Sequence, residues 1–161
     1  MRAAPKLVPF PVEAGHATHI LVVEDDQDAR NALCDTLIDF GYMPFAVGDG
    51  VEALDHLRTG ARPNLIVLDL MMPRIDGWRF LTIVAGEPDL AGIPVVVCTA
   101  APNTSPPGIP RDHILTKPYS VDALMAFVTR YCGPGVVFSP TPTGGRPKRT
   151  STKRRRSADP K

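Results

Sequence analysis

Five side chains stand where apolar packing alone would not put them: Glu24, Asp25, Asp69, Thr99 and Lys117. Asp69 ends the run Leu65-Ile66-Val67-Leu68 and has leucine on both sides. A carboxylate so placed is costly unless a cation or hydrogen-bond donors meet it. Glu24 and Asp25 close His19-Ile20-Leu21-Val22-Val23, Thr99 follows Ile93-Pro94-Val95-Val96-Val97-Cys98, and Lys117 lies just past His113-Ile114-Leu115. If these runs are neighbouring parallel strands, all five side chains converge on the carboxyl edge of one sheet, where open α/β sheets bind their ligands. Crowded carboxylates repel one another, and a divalent cation resolves the repulsion. Oxygen donors suit Mg²⁺, whereas the lack of grouped His or Cys argues against zinc. A metal, an ammonium and a hydroxyl around one carboxylate form a clamp for a phosphoryl group: metal and Lys117 neutralise its equatorial oxygens, Thr99 donates to one, and Asp69 attacks in line. Taken alone, Asp69 has a competing reading as a strand-end residue that opens a turn.

The elements that must deliver these groups alternate along the chain. Short branched runs at His19–Glu24, Tyr42–Val47, Asn64–Asp69, Ile93–Cys98 and His113–Leu115 predict buried strands. Between them, Gln27–Phe40 carries Ala29, Leu33, Leu37 and Phe40 at helical spacing, with Asp26 placed to cap it and Gly41 to stop it. Asp49–Arg58 predicts a second helix with Val51, Leu54 and Leu57 on one face, Trp78–Ala85 a third, and Ser120–Tyr131 a capped one that turns Val121, Leu124, Phe127, Val128 and Tyr131 inward. Ala101–Arg111 breaks the alternation. It holds Pro102, Pro106, Pro107, Pro110 and Gly108, so a loop or at most one turn is expected there. Five strands alternating with helices predict a doubly wound parallel sheet.

With 161 residues and a hydrophobic fraction of 43%, the chain has room for one domain and tails. Residues 1–17 read as a flexible arm, 18–132 as the domain and 133–161 as a disordered tail, because periodicity ends at Gly133. Charge divides at the same place. Residues 1–132 hold ten Lys and Arg against sixteen Asp and Glu, a net of −6; residues 133–161 hold eight against one, a net of +7. No apolar run approaches the roughly 20 residues needed to cross a bilayer, and the start makes a poor secretory signal. Cys34, Cys98 and Cys132, odd in number and without framework spacing, predict reduced thiols and a cytoplasmic protein.

The ordered set E-D-D, D-L-M-M-P, C-T-A and T-K-P, each following its own apolar run, resembles the receiver domain of two-component response regulators over roughly residues 18–132. The resemblance implies a flavodoxin-like sheet of order 2-1-3-4-5, as in the chemotaxis regulators of that family. It implies that Asp69 accepts a phosphoryl group from a histidine kinase or histidine phosphotransfer protein. It also implies that Asp25 and Asp69 bind Mg²⁺ directly, Glu24 helps through water, and Met71 contributes its backbone carbonyl. Thr99 resembles the switch hydroxyl and Lys117 the cation that pairs with the phosphoryl group, while Lys117-Pro118 resembles a bond usually cis in the family. Asp26 reads as an N-cap before a metal contact, and Asp76 as a turn residue before Gly77.

Departures from the family pattern carry expectations of their own. Ile114 stands where an aromatic is usual, three residues before the lysine, which weakens the usual coupling to the threonine. The proline-rich segment stands where the fourth helix is usual, so that helix is expected shortened or missing and the output surface altered. Met71 and Ala101, two residues beyond Asp69 and Thr99, are apolar and orient no water, which predicts slow loss of the phosphoryl group. The histidines are expected at the surface or at strand edges, Trp78 over the start of the third helix, and Cys98 as packing.

These features describe a stand-alone phosphorylation switch rather than a metabolic enzyme, its output a contact with a downstream protein. Two rivals remain at the sequence level. One is a regulator whose basic tail, with Arg146, Lys148, Arg149 and Lys153–Arg156, contacts nucleic acid or another polyanion. The other is a phosphate-independent receiver scaffold. The tail has no aromatics after Phe138 and no helix-turn-helix pattern, so sequence-specific DNA binding is unsupported.

Overall fold

A computed structural model describes residues 18–101, 103 and 105–135. The expected N-terminal arm and the basic part of the tail lie outside the described residues. In chain order the elements are β1 (His19–Val23), α1 (Gln27–Asp39), β2 (Met43–Val47), α2 (Gly50–Thr59), β3 (Leu65–Asp69), α3 (Gly77–Gly86), β4 (Val95–Thr99), a 3-10 turn at Arg111–His113, β5 (Ile114–Thr116) and α4 (Val121–Cys132). All strand pairs are parallel and the order is β2-β1-β3-β4-β5.

Strand register does most of the positioning. Val23 pairs with Leu68, which sets Glu24 beside Asp69; Asp69 pairs with Cys98, and Thr99 with Thr116, which brings Lys117 next in line. Both sheet faces are covered, and this is why the strands read as unbroken apolar runs. Leu21, Val23, Ile66, Leu68, Val95 and Val97 pack under α2 and α3 with Leu54, Leu57, Phe80 and Val84. Their alternating neighbours Ile20, Val22, Leu65, Val67, Val96 and Cys98 pack under α1 and α4 with Leu33, Leu37, Leu124, Phe127 and Val128. Burying each such side chain contributes about 1.5–3 kcal/mol.

The helices begin on side-chain caps. Asp26 accepts from Ala29 N, Asp49 from Val51 N and Glu52 N, Asp76 from Arg79 N, and Ser120 from Ala123 N. Asp76 is therefore the cap of α3 rather than only a turn residue. Gly41 ends α1 with φ 84°, a conformation that glycine adopts without strain. Between Ala101 and Pro110 the described residues form turns and no helix, as the prolines predict. Pro106 is buried there, and Ile109 packs against the core under α2 and α3.

Several side chains differ from their expected places. Spacing puts Val51 inward, but α2 buries Gly50, Ala53, Leu54 and Leu57, a stripe that leaves Val51 37% exposed. Val121, the first residue of α4, projects past the sheet beside Pro118 and Tyr119, and Met125 and Cys132 complete the buried face instead. Phe40 caps α1 outside the helical repeat and stays exposed. Trp78, the second residue of α3, is 37% exposed and faces a groove it shares with Pro106 and Pro107. β4 starts at Val95 because Ile93 N turns back to Leu90 O.

His113 departs furthest from the surface placement expected of the histidines. It is buried, and its Nδ1 lies 3.1 Å from the Val95 carbonyl, which can only accept. Nδ1 therefore carries the proton, leaving Nε2 to accept from the Tyr131 hydroxyl at 2.5 Å. Phe127 closes the ring in edge-on, so β4, the turn before β5, and α4 are tied through one imidazole. Tyr131→Phe should lower stability by about 1 kcal/mol, read as a shifted midpoint in denaturant unfolding with unchanged slope.

Candidate functional site

The five side chains singled out by the sequence meet at the carboxyl edge of β1, β3, β4 and β5. Glu24, Asp25 and Asp69 each offer an oxygen within 4.8 Å of the others. Lys117 Nζ donates to Glu24 Oε2 at 2.7 Å and to Asp69 Oδ2 at 3.0 Å. The second oxygen of Asp69 accepts from the Met71 backbone N–H at 2.9 Å. Thr99 is fully buried; its Oγ1 accepts from Ala101 N at 3.1 Å, so its own hydroxyl hydrogen stays free to donate elsewhere. The Thr99 carbonyl accepts from Lys117 N at 2.8 Å, tying the lysine backbone to the threonine. The Lys117-Pro118 peptide is cis.

The electrostatics are those of a site short of positive charge. Glu24 and Asp69 are buried, Asp25 is exposed, and Lys117 is the cation hydrogen-bonded to the first two. Burial, the largest influence, raises the Glu24 pKa; the Asp69 charge adds to the rise, while the Lys117 hydrogen bond opposes it. For Lys117, burial works against the ammonium, but its hydrogen bonds to Glu24 and Asp69 outweigh that and hold its pKa above the ordinary lysine value. Three carboxylates around one ammonium still leave an excess of negative charge facing solvent, and their oxygen-only donor set fits a hard divalent ion.

Surrounding residues hold the acids in place. Arg30 Nη1 donates to the backbone carbonyls of Glu24 at 2.7 Å and Asp25 at 3.2 Å, pinning the acidic turn to α1. A Cβ at Gly77 would lie 2.6 Å from Leu70 Cα and 2.7 Å from the Asp69 carbonyl oxygen, so only glycine lets α3 begin this close to the end of β3. In the loop between them Arg74, at φ 65°, forms an ion pair with buried Asp49 at the start of α2. Cys98 lies beneath the site; burial pushes its thiol up to about 12 and Tyr119 shares a hydrogen bond with it, so it packs rather than reacts.

Arg30 and the Arg74–Asp49 pair were not foreseen from sequence. A lone basic residue in the opening turns of an acidic helix was the available signal for Arg30. No comparable signal marks Arg74, whose partner lies 25 positions earlier in the chain. Met71 comes to the site through its backbone, and its side chain is 63% exposed.

Fold and site together define an α/β domain built to gather charge at one end of its sheet. The sequence pattern of the response regulator receiver domain matches residues 20–129, and the chain belongs to that family. "Response regulator MprA" of Mycobacterium tuberculosis (strain ATCC 25177 / H37Ra) is 38% identical over 114 residues, which cover 68% of this chain and 48% of that protein. The chain thus spans about half the length of the curated relatives it matches. Among solved structures, chemotaxis protein CheY4 of Vibrio cholerae matches with a TM-score of 0.62 at 27% identity, covering 72% of this chain and 99% of the other. The receiver domain of sensor histidine kinase PA1611 from Pseudomonas aeruginosa PAO1, solved with a magnesium ion coordinated in its active site cleft, shares the fold at a TM-score of 0.62 and 22% identity, covering 73% and 99%.

The raised Glu24 pKa has a measurable sign. The folded, metal-free protein holds this proton more tightly than the unfolded chain, so Glu24 adds stability as pH falls through its folded pKa towards the ordinary 4.5. Unfolding free energies followed across that window should show the gain in the native protein, and Glu24→Gln should remove it.

Proposed function

We propose that this chain is a phosphorylation switch in which Asp69 accepts a phosphoryl group from a phosphohistidine of a kinase or phosphotransfer protein. The observation that carries the reading is the convergence of Lys117 on Asp69 and Glu24 with Asp25 alongside. A carboxylate oxygen of Asp69 attacks phosphorus, the P–N bond breaks, and the imidazole leaves with the bonding pair. Lys117, already within hydrogen-bond distance of Asp69, balances charge on the transferred group, and the free hydroxyl hydrogen of Thr99 donates to it. Glu24, Asp25, Asp69 and the Met71 carbonyl would hold Mg²⁺. When bound, the ion supplies positive charge at the phosphoryl oxygens.

The chain is its own acceptor and turns over no separate substrate, so the reading is of a switch and not of a metabolic enzyme. Its output is a changed contact with a downstream protein, expressed through the loop that replaces the usual fourth helix and through the Ile114 region of β5. Ile114 packs half-buried against the core under α2 and α3, and it offers no ring to turn in or out. Free Cys34, Cys98 and Cys132 support a reducing, cytoplasmic setting. Among the described residues no helix is long and apolar enough to cross a membrane.

Incubation with acetyl phosphate and Mg²⁺ should add the mass of one phosphoryl group to the native protein and none to Asp69→Asn, read by intact mass spectrometry. Equal labelling of both would overturn the assignment of Asp69, and labelling of neither would favour a scaffold. Because Met71 and Ala101 place apolar side chains where water would approach, the phosphoryl group should persist for minutes or longer after donor removal. Decay within seconds in a time course of acid-quenched samples would contradict slow loss.

A further inference from the structure

The two acids at the end of β1 are held in different ways. The Glu24 carboxylate accepts from Lys117 Nζ at 2.7 Å and from the Asp26 backbone N–H at 3.3 Å. Asp25 makes one hydrogen bond involving a side chain among the described residues, and its backbone carbonyl is the acceptor. Its carboxylate is exposed, yet offers an oxygen within 4.8 Å of those of Glu24 and Asp69. With no partner of its own, that carboxylate reaches the cluster only because its backbone is turned towards it.

Arg30 grips that backbone at three successive residues. Its own N–H donates to the Asp26 carbonyl at 2.9 Å, while its Nη1 donates to the Glu24 carbonyl at 2.7 Å and the Asp25 carbonyl at 3.2 Å. The guanidinium also meets the turn between β2 and α2, where a Cβ on Gly48 would lie 3.6 Å from Nη1. Among the described residues Arg30 forms no ion pair, so it offers its donors to carbonyls and not to the neighbouring carboxylates. As a charge, it is out of place. It is the fourth residue of α1, near the positive end of the helix dipole, and a guanidinium beside a cation site repels the cation.

We propose that Arg30 is a positioning residue for the divalent ion: by holding the Glu24 and Asp25 carbonyls on the α1 side of the turn, it aims the Asp25 carboxylate at Asp69. One nitrogen shared by two successive carbonyls fixes both peptides at once. Removing contacts that orient the ligands of a metal costs about 10- to 100-fold in affinity. The effect of Arg30 on metal binding is thus opposite in sign to the effect of its charge. The inference rests on the reading of this edge as a Mg²⁺ site.

Titration of the full chain with MgCl₂ at constant ionic strength and without a phosphodonor, followed through the NMR amide shifts of Asp25, Asp69 and Met71, tests it. Arg30→Met removes charge and donors together, and Mg²⁺ affinity should fall about tenfold or more, although loss of the charge alone would raise it. In the Asp25→Asn background the same substitution should change affinity by no more than about twofold, because the carboxylate it aims is gone. Arg30→Lys keeps the charge but ends one bond short of Nη1. It should also bind Mg²⁺ more weakly than the native chain, and it carries the test if Arg30→Met does not fold. Affinity at or above the native level in a variant with a folded amide spectrum would overturn the inference alone. So would equal losses in both backgrounds, which would mark a general loosening of the domain. Absence of saturable Mg²⁺ shifts in the native chain would instead overturn the metal reading, and the role of Arg30 with it.

Discussion

The arrangement depends on one cation held between two buried acids from different strands. Without Lys117, Glu24 and Asp69 would face each other in a poorly solvated site with no cation hydrogen-bonded between them. With it, the repulsion between the two acids is offset and the edge of the sheet remains open to a second cation. The lysine reaches them because β5 ends level with β4 and its backbone N–H is tied to the Thr99 carbonyl. A three-residue strand suffices, since β5 has only to deliver Lys117 to the right height.

Most of this was legible in the chain because the signals were local and repeated. Strand-length runs of branched residues name the sheet, and polar residues at or just past the ends of four of the five runs name the candidate site. Parallel pairing then makes the strand ends coincide whatever the helices do. The proline-dense stretch before β5 was legible as well, since prolines spread along it remove the N–H groups that a helix interior needs. What stayed hidden depends on partners far apart in sequence. His113 has the composition of a surface residue and becomes core only because Val95, Phe127 and Tyr131 surround it. Val51 and Val121 follow the apolar spacing yet face outward, because a stripe on a helix says which residues share a face and not how far that face extends over the sheet.

The two halves of the sheet are secured differently. On the side of β2, α2 and the loop after Asp69 are joined by Arg74 and Asp49, and Gly50 approaches Ile75 so closely that a Cβ would sit 2.9 Å from it. On the side of β5, the described residues between β4 and the 3-10 turn form no regular helix, and the Tyr131–His113–Val95 relay bridges the gap. The loop after β4 is thus held at its ends by imidazole and backbone, with Pro106 and Ile109 as its apolar anchors.

Gly77 illustrates how a position can be indispensable without doing any chemistry. Its α-carbon occupies the gap left between the Leu70 backbone and the Asp69 carbonyl, and even a methyl group there would lever α3 away from β3. The damage would surface as a displaced carboxylate several bonds away. In a saturation survey scored on signalling alone, this residue would therefore look like part of the reaction machinery, and only a structural readout would reveal it as a spacer.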